Sequence, residues 1–189
     1  MPGGARPSVA ELDGMTDTDC RAALGPLFEG APRFLARLCA ARPFGDADGL
    51  FTRARGVARS MPEADQLELI DAHPRLGAPP EAVSALSFVE QGYDRVTAPQ
   101  TSAPAGATAR TAVGGVSAQD PIATELARLN ETYEARFGFR YCVFVAGRSR
   151  AELLPEFETA LGAERSAEVA RALEAVVDIA ADRWARAVG

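Results

Sequence analysis

The sequence predicts an all-α fold: a single compact multi-helix domain with one short extended segment near residues 139–146. Apolar residues recur at helical spacing through most of the chain, and capping residues, prolines and glycines delimit these stretches. Only FRYCVFVA, residues 139–146, has a strand-like composition. Because a single short strand cannot form a sheet, we expect this run to thread the core as an extended segment. The chain has 189 residues, enough to bury one core.

The first half of the chain contains signals for four helices. Residues 1–10 are rich in Pro and Gly and predict a flexible tail, so that the helical domain spans 11–189. Four helices are then predicted: TDTDCRAAL with Thr16 or Thr18 as N-cap, PRFLARLCAARPF opened by Pro32 and with an apolar stripe that stops before Pro43, ADGLFTRARGVARS capped by Asp46, and PEADQLELIDA with Pro62 at its first position.

The second half begins with a helix candidate over 79–96 and then changes composition. Residues 97–119 are rich in Ala, Pro and Thr and predict a surface insertion. Three helices follow: Pro121 to Phe137 with Gly138 as its stop, a helix that begins with the Ser149–Glu152 capping box and ends at Gly162, and a last helix over about 164–187.

Composition excludes several classes of function. The formal net charge is −6, whereas a protein that binds nucleic acid or an anionic membrane should carry the opposite sign. All 20 basic residues are Arg. Without Lys the chain cannot form a Schiff base, which excludes pyridoxal-phosphate and class I aldolase chemistry, and it has no Walker-type lysine.

The cysteines and the single histidine do not form a metal motif. Cys20, Cys39 and Cys142 are widely spaced and odd in number, and His73 is the only histidine, so a structural zinc site has too few ligands. The cysteine spacing indicates a reducing compartment. The N-terminus lacks a basic region followed by an apolar run, as a secretion signal would have. No apolar stretch approaches the length of a membrane-spanning helix. We therefore expect a cytoplasmic protein.

His73 is the first candidate for chemistry. It lies in DAHPRLG at the end of a predicted helix, and Pro74 ends that helix. The partial negative charge of a helix C-terminus favours imidazolium, which suits His73 to proton donation near neutral pH. The alternative is a histidine that only caps the helix by binding its last carbonyls.

A second candidate is the sequence Ser87-Phe-Val-Glu90-Gln91. In a helix, Ser87, Glu90 and Gln91 share one face, where a hydroxyl, a carboxylate and an amide could hold a planar polar ligand. The alternative is a capping box followed by a solvated face.

Arg183 is the third candidate, because it lies on the apolar stripe of the last helix. A guanidinium there needs an anion as partner. The partner could be a ligand carboxylate, or an internal Glu in a structural ion pair, or the side chain could extend to the surface.

Several short motifs occur in an order that resembles one family. They are LDGM, LFEGAPRFLARLCAARPF, AHPRLG, the S-x-x-E-Q helix, LNETYEARFGF, the apolar segment before GRSR, and IAADRW. Together they resemble 2-oxo-4-hydroxy-4-carboxy-5-ureidoimidazoline (OHCU) decarboxylase over residues 11–188, apart from the insertion. The resemblance implies a cofactor-independent, all-helical carboxy-lyase, usually a homodimer, that converts OHCU into (S)-allantoin and CO2 in urate degradation.

The resemblance also implies roles for individual residues. His73 would donate the proton with Glu90 as its catalytic partner. The substrate would be bound by Pro74, Ser87, Phe88, Val89, Gln91, Tyr141, Cys142, Val143, Phe144, Val145 and Arg183.

Three features depart from the family pattern. The insertion is long, CVFV replaces a segment that is more often Val-Ile-Cys-like, and Phe88 and Val89 are apolar. They leave two alternatives open. The same scaffold could act on a related ureido, imidazoline or 2-oxo acid in a specialised pathway, or the chain could be a non-catalytic helical interaction module.

Overall fold

The computed structural model describes residues 6–78, 84, 86 and 120–187, and within these it is all helical apart from connecting segments. A short 3₁₀ helix, Gly25–Phe28, follows the second α-helix. The α-helices are α1 Val9–Gly14, α2 Asp17–Leu24, α3 Pro32–Ala40, α4 Ala47–Ser60, α5 Glu63–Asp71, α6 Pro121–Phe137, α7 Arg150–Ala160 and α8 Arg165–Arg186. The predicted all-α fold is confirmed. The helix predicted over 79–96 and the insertion lie outside the described residues, except for Ser84 and Leu86.

Local capping determines several of the helix ends, as predicted. Asp46 accepts a hydrogen bond from the Gly49 N–H at 2.7 Å at the start of α4. Ser149 and Glu152 form the predicted capping box before α7. Gly138 ends α6 in the left-handed conformation, with φ +79°. These ends form where the sequence placed them because each depends on contacts within three or four residues.

Two helix starts add detail to the prediction. Of the two predicted N-caps Thr16 and Thr18, Thr16 caps α2. Pro62 has extended dihedrals and is the N-cap of α5, so that the helix begins at Glu63 and not at the proline.

The chain also becomes helical earlier than predicted. Ser8 forms a capping box with Glu11, and the buried Val9 begins α1 within the predicted tail. Arg6 precedes the helix and stacks on the indole of Trp184 in α8, with 3.6 Å between the guanidinium carbon and the ring centre. These contacts fix the N-terminal segment against the C-terminal helix.

Helix α8 organises the core. It has 22 residues, of which half are buried, and it packs against α4, α5 and the 3₁₀ helix. Helix α3 packs on α2, α4 and α5, while α6 packs on α7. No helix in the described part of the chain is both long enough and apolar enough to cross a membrane.

The segment 139–146 is extended and lies in the core, as predicted. Phe139, Tyr141, Cys142 and Val143 are buried, and exposure increases from Phe144 onward. The segment has no strand partner among the described residues, so side chains fix its position instead.

The structure contains one pairing that the sequence analysis did not anticipate. Cys20 in α2 and Cys39 in α3 form a disulfide, with their Cα atoms 6.1 Å apart. Packing of α2 on α3 brings the two buried thiols together, and cysteine spacing could not reveal that contact.

Two glycines test how far local conformation sets stability. Gly138 has φ +79° with open space where a methyl group would point, whereas Gly56 is an exposed residue inside α4 with similar space. We expect Gly138→Ala to lower the free energy of unfolding by about 1 kcal/mol because of left-handed strain. Gly56→Ala should raise it by about 0.5–1 kcal/mol. Urea denaturation measures both, and equal signs would contradict this account.

Candidate active site

A cleft opens between the end of α5, the extended segment and the last turns of α8. Its walls combine apolar side chains and backbone with a few polar groups. The lining residues are His73, Pro74, Leu76, Tyr141, Cys142, Val143, Phe144, Val145, Ala146, Gly147, Ile179, Asp182 and Arg186. Seven of the predicted site residues, His73, Pro74 and Tyr141 to Val145, therefore meet at one cleft.

The end of α5 fixes the orientation of the His73 ring. The backbone N–H of His73 donates to the Ile70 carbonyl at 3.1 Å, and Pro74 follows directly. The ring Nδ1 lies 3.3 Å from the Leu69 carbonyl. Since a carbonyl only accepts, Nδ1 carries the proton in the neutral ring and Nε2 presents a lone pair. Nε2 is buried and has no hydrogen-bond partner among the described residues.

Burial keeps His73 neutral. The residue is 3% exposed, and burial lowers its pKa from 6.5 to about 4, with a further lowering by the positive charge of Arg183. Glu29 and the Leu69 carbonyl raise the pKa, but by less. The prediction that the helix C-terminus would favour imidazolium is therefore wrong, because loss of hydration outweighs the helix dipole.

Arg183 lies behind the cleft in a buried ion pair. Its Nη2 donates to Glu29 Oε1 at 2.7 Å, and its side chain is only 2% exposed. Its Nη1 donates to the carbonyls of Pro26 and Leu27 at 3.0 and 3.2 Å. Of the partners for Arg183 that the sequence left open, the structure shows an internal Glu. Contact of Arg183 with a substrate remains a prediction.

Glu29 was not identified from the sequence. It follows the 3₁₀ helix with φ 49°, in the left-handed region, and its Oε1 also accepts from the Ser84 hydroxyl at 2.9 Å. An Asn, Asp or Gly is more usual at such a φ. The only sequence signal was a carboxylate beside a glycine after an apolar turn, which is too common to indicate a buried acid.

A buried polar network supports the extended segment from the side opposite the cleft. Glu168, 4% exposed, accepts from the Tyr133 hydroxyl at 2.7 Å and from Arg171 Nε at 3.0 Å. Arg171 Nη1 donates to the Cys142 carbonyl at 2.9 Å. The network therefore holds a backbone group of the segment that lines the cleft.

Aromatic packing fixes the same segment. The Tyr141 ring stacks on Phe157 with centres 3.7 Å apart, and the Arg171 guanidinium lies over its other side at 4.6 Å. Burial raises the pKa of Tyr141, so its hydroxyl stays protonated. Like Nε2 of His73, that hydroxyl is buried and has no hydrogen-bond partner in the part of the chain that the structure describes.

The remaining predicted residues cannot be placed. Ser87, Phe88, Val89, Glu90 and Gln91 lie outside the described residues, so their roles stay predictions. Conversely, the cleft includes Asp182 and Arg186 of α8, which the sequence analysis did not identify. The apolar stripe of α8 drew attention to Arg183 and away from its polar neighbours.

Comparison with known proteins gives one family. A family model described as OHCU decarboxylase matches residues 13–185. Among curated proteins, the chain is 26% identical over 178 residues to a 2-oxo-4-hydroxy-4-carboxy-5-ureidoimidazoline decarboxylase from Haloferax volcanii, covering 94% of each chain. It is 29% identical over 175 residues to the uric acid degradation bifunctional protein PucL of Bacillus subtilis, covering 93% of this chain but only 31% of that protein.

Solved structures agree on the fold. A crystal structure of OHCU decarboxylase in the presence of (S)-allantoin superposes with a TM-score of 0.61 at 20% identity, covering 91% of this chain and 97% of that one. A crystal structure of (S)-allantoin synthase gives 0.60 at 18% identity, covering 96% of this chain and 53% of that one. The helical arrangement is therefore shared with both.

The Arg183–Glu29 pair should stabilise the fold. We expect Glu29→Gln to lower the free energy of unfolding by about 3 kcal/mol, because it removes a carboxylate that pairs with a buried guanidinium. Glu125→Gln is the control, since Glu125 pairs with Arg128 on the surface of α6 and such pairs contribute about 0–1 kcal/mol. Urea denaturation of both variants measures the difference, and equal losses would refute the structural role.

Proposed function

The chain belongs to the OHCU decarboxylase family, and we propose that it converts OHCU to (S)-allantoin and CO2 in urate degradation. The single observation that carries the proposal is the neutral imidazole of His73, with Nδ1 bound to a carbonyl and Nε2 unpartnered at the cleft. A buried polar atom without a hydrogen-bond partner destabilises the fold, and a ligand would supply the missing partner.

The reaction sets clear chemical demands on the site. The bond from the ring carbon to the carboxylate breaks, CO2 leaves, and the electron pair becomes conjugated with the neighbouring C=N. The hydroxyl on that carbon becomes a carbonyl and gives up its proton, while the carbon that bears the ureido group gains one. A solvent proton neutralises the ring nitrogen. The site must hold the developing charge and add the proton on one face.

His73 fits the role of proton relay. A neutral imidazole with a pKa of about 4 can deliver a proton only after accepting one. In the proposed step, Nε2 takes the proton of the substrate hydroxyl and returns it to the ring carbon. Because the charged ring is buried beside Arg183, it is a strong acid, and the return of the proton to carbon is favoured.

The other residues bind the substrate in this proposal. The backbone and side chains of Tyr141 to Val145, with Pro74, lie along the planar ring, and Arg183 meets a carbonyl or carboxylate. Glu90 orients His73 or accepts ureido N–H groups. Ser87, Phe88, Val89 and Gln91 complete the contacts, as the family resemblance implies.

The assembly and location are proposed on the same resemblance. We infer a cytoplasmic homodimer that needs no cofactor or metal and binds only a small-molecule substrate. The absence of Lys from the sequence supports the cofactor proposal, because it removes the group that anchors pyridoxal phosphate. Light scattering coupled to gel filtration tests the homodimer.

Substitution of His73 tests the proposed activity. We expect His73→Asn to lower kcat by about 10²–10⁴-fold, since Asn can donate a hydrogen bond but cannot relay a proton. Formation of (S)-allantoin from freshly generated OHCU, followed by circular dichroism, measures the rate. Binding of (S)-allantoin, measured by calorimetry, should persist and is the control for folding. A variant that keeps most of its kcat would show that His73 only caps α5.

The lowered pKa of His73 also predicts how stability depends on pH. The unfolded ring takes up a proton below about 6.5, whereas the folded ring resists protonation until about pH 4. The contribution of His73 to stability is therefore intact above pH 6.5 and lost as pH falls toward 4. Between pH 7.5 and 5 we expect a loss of about 2 kcal/mol.

The His73→Asn variant isolates this contribution from that of the carboxylates. Urea denaturation of both proteins at each pH gives the difference in unfolding free energy between them. This difference should shrink by the expected amount on acidification. A difference that is constant with pH would mean that the folded pKa of His73 is near its ordinary value.

A further inference from the structure

Half of the buried polar atoms that lack an aligned hydrogen bond in the described part of the chain belong to residues of the cleft. Six buried side-chain nitrogen or oxygen atoms of the described residues have no hydrogen-bond partner. Three of the six belong to residues that line the cleft: His73 Nε2, Tyr141 OH and Asp182 Oδ2. Buried polar atoms in folded proteins are nearly always hydrogen bonded, so an exception on a cleft wall indicates a ligand atom. Asp182 is the one of the three that has no role in the reaction described above.

Asp182 forms an ion pair that leaves it able to accept. Its Oδ2 lies 2.8 Å from Nη2 of Arg186, one helical turn later, yet the contact is not aligned as a hydrogen bond. The lone pairs of Oδ2 therefore still lack an aligned donor. The Asp182 side chain is 25% exposed and that of Arg186 is 53% exposed, which places the pair at the mouth of the cleft.

The two arginines at the end of α8 have different surroundings. Three hydrogen bonds tie Arg183 to Glu29 and to the carbonyls of the 3₁₀ helix, behind the cleft. Arg186 lines the cleft itself, is half exposed and contacts Asp182 from the same helix. Of the two guanidinium groups, only that of Arg186 can meet an anion as it enters from solvent.

We propose that Asp182 and Arg186 determine specificity for a ureido carboxylate: Arg186 binds the substrate carboxylate, and Asp182 accepts a hydrogen bond from a ureido N–H. This inference rests on the proposed function and adds two residues to its site. A guanidinium matches the geometry of a carboxylate, and a carboxylate is the strongest side-chain acceptor for N–H groups. Arg183 is then left to a carbonyl of the substrate.

The charge of the chain strengthens the argument for Arg186. The formal net charge is −6, so the protein as a whole repels an anionic substrate at low ionic strength. A cation at the mouth of the cleft counters that repulsion where the substrate enters. Asp182 keeps the guanidinium on the cleft side, and the substrate carboxylate can take over the contact.

Two ligands separate the two roles, because (S)-allantoin keeps the ureido group of OHCU but lacks its carboxylate. The KM for OHCU and the inhibition constant for (S)-allantoin are measured for wild type, Arg186→Gln and Asp182→Asn at low salt. Arg128→Gln is the matched control: Arg128 is 56% exposed, forms a one-turn ion pair with Glu125 and does not line the cleft. Melting temperatures confirm that each variant folds.

The expected pattern differs between the variants. Arg186→Gln should raise the KM for OHCU about 10- to 100-fold, with kcat and the allantoin constant nearly unchanged. Asp182→Asn should raise both the KM and the allantoin constant, by about tenfold. Arg128→Gln should alter neither.

Two results would overturn the inference. First, the KM for OHCU and the inhibition constant for (S)-allantoin could be the same in Arg186→Gln and Asp182→Asn as in the control. Asp182 and Arg186 would then form a surface ion pair only. Alternatively, Arg186→Gln could weaken allantoin as much as OHCU, which would exclude recognition of the carboxylate. If the wild-type protein forms no (S)-allantoin from OHCU, both the proposed function and this inference are refuted. That result is distinct from an active wild-type protein whose variants are unaffected.

Discussion

The buried guanidinium of Arg183 connects the fold to the chemistry of the cleft. It forms an ion pair with the Glu29 carboxylate and donates hydrogen bonds to the carbonyls of Pro26 and Leu27 in the 3₁₀ helix. The two partners in this ion pair lie 154 residues apart in sequence, so the contact joins the first third of the chain to the last helix. The same charge lowers the pKa of His73. A structural ion pair thus also acts on the proposed relay, although burial is the larger cause of the lowered pKa of His73 and Glu29 opposes it.

The extended segment depends on a second buried charge in the same way. Because it has no neighbouring strand among the described residues, its backbone groups need side-chain partners. Arg171 supplies one at the Cys142 carbonyl, and Glu168 and the Tyr141 ring hold Arg171 in place. A guanidinium suits this position because it can donate to a carboxylate and a carbonyl while stacking on an aromatic ring. Side-chain contacts consequently hold this wall of the cleft in place although it does not belong to a sheet.

The sequence predicted what short-range contacts determine. Helix α6 begins and ends where Pro121 and Gly138 indicated, because a fixed φ at one end and a left-handed φ at the other are local properties. The Cys20–Cys39 disulfide and the Glu29–Arg183 pair depend on which helices pack together, and no periodicity encodes that. The predicted charge state of His73 was wrong for the same reason. The position of the residue at a helix end can be inferred from the sequence, whereas its burial is known only from the structure.

The distribution of satisfied and unsatisfied polar groups separates structural from functional residues. Behind the cleft, the buried charges of Arg183 and Glu168 have close partners, as burial of charge requires. On the cleft wall, His73 Nε2 and Tyr141 OH are buried and have no hydrogen-bond partner among the described residues, although a Leu or Phe could occupy such positions at lower cost to stability. Neighbouring positions of one small domain follow opposite rules. A ligand that brings both N–H groups and exchangeable protons to the cleft would explain the difference between the two sets of polar groups. A hydroxylated ureido ring has both features.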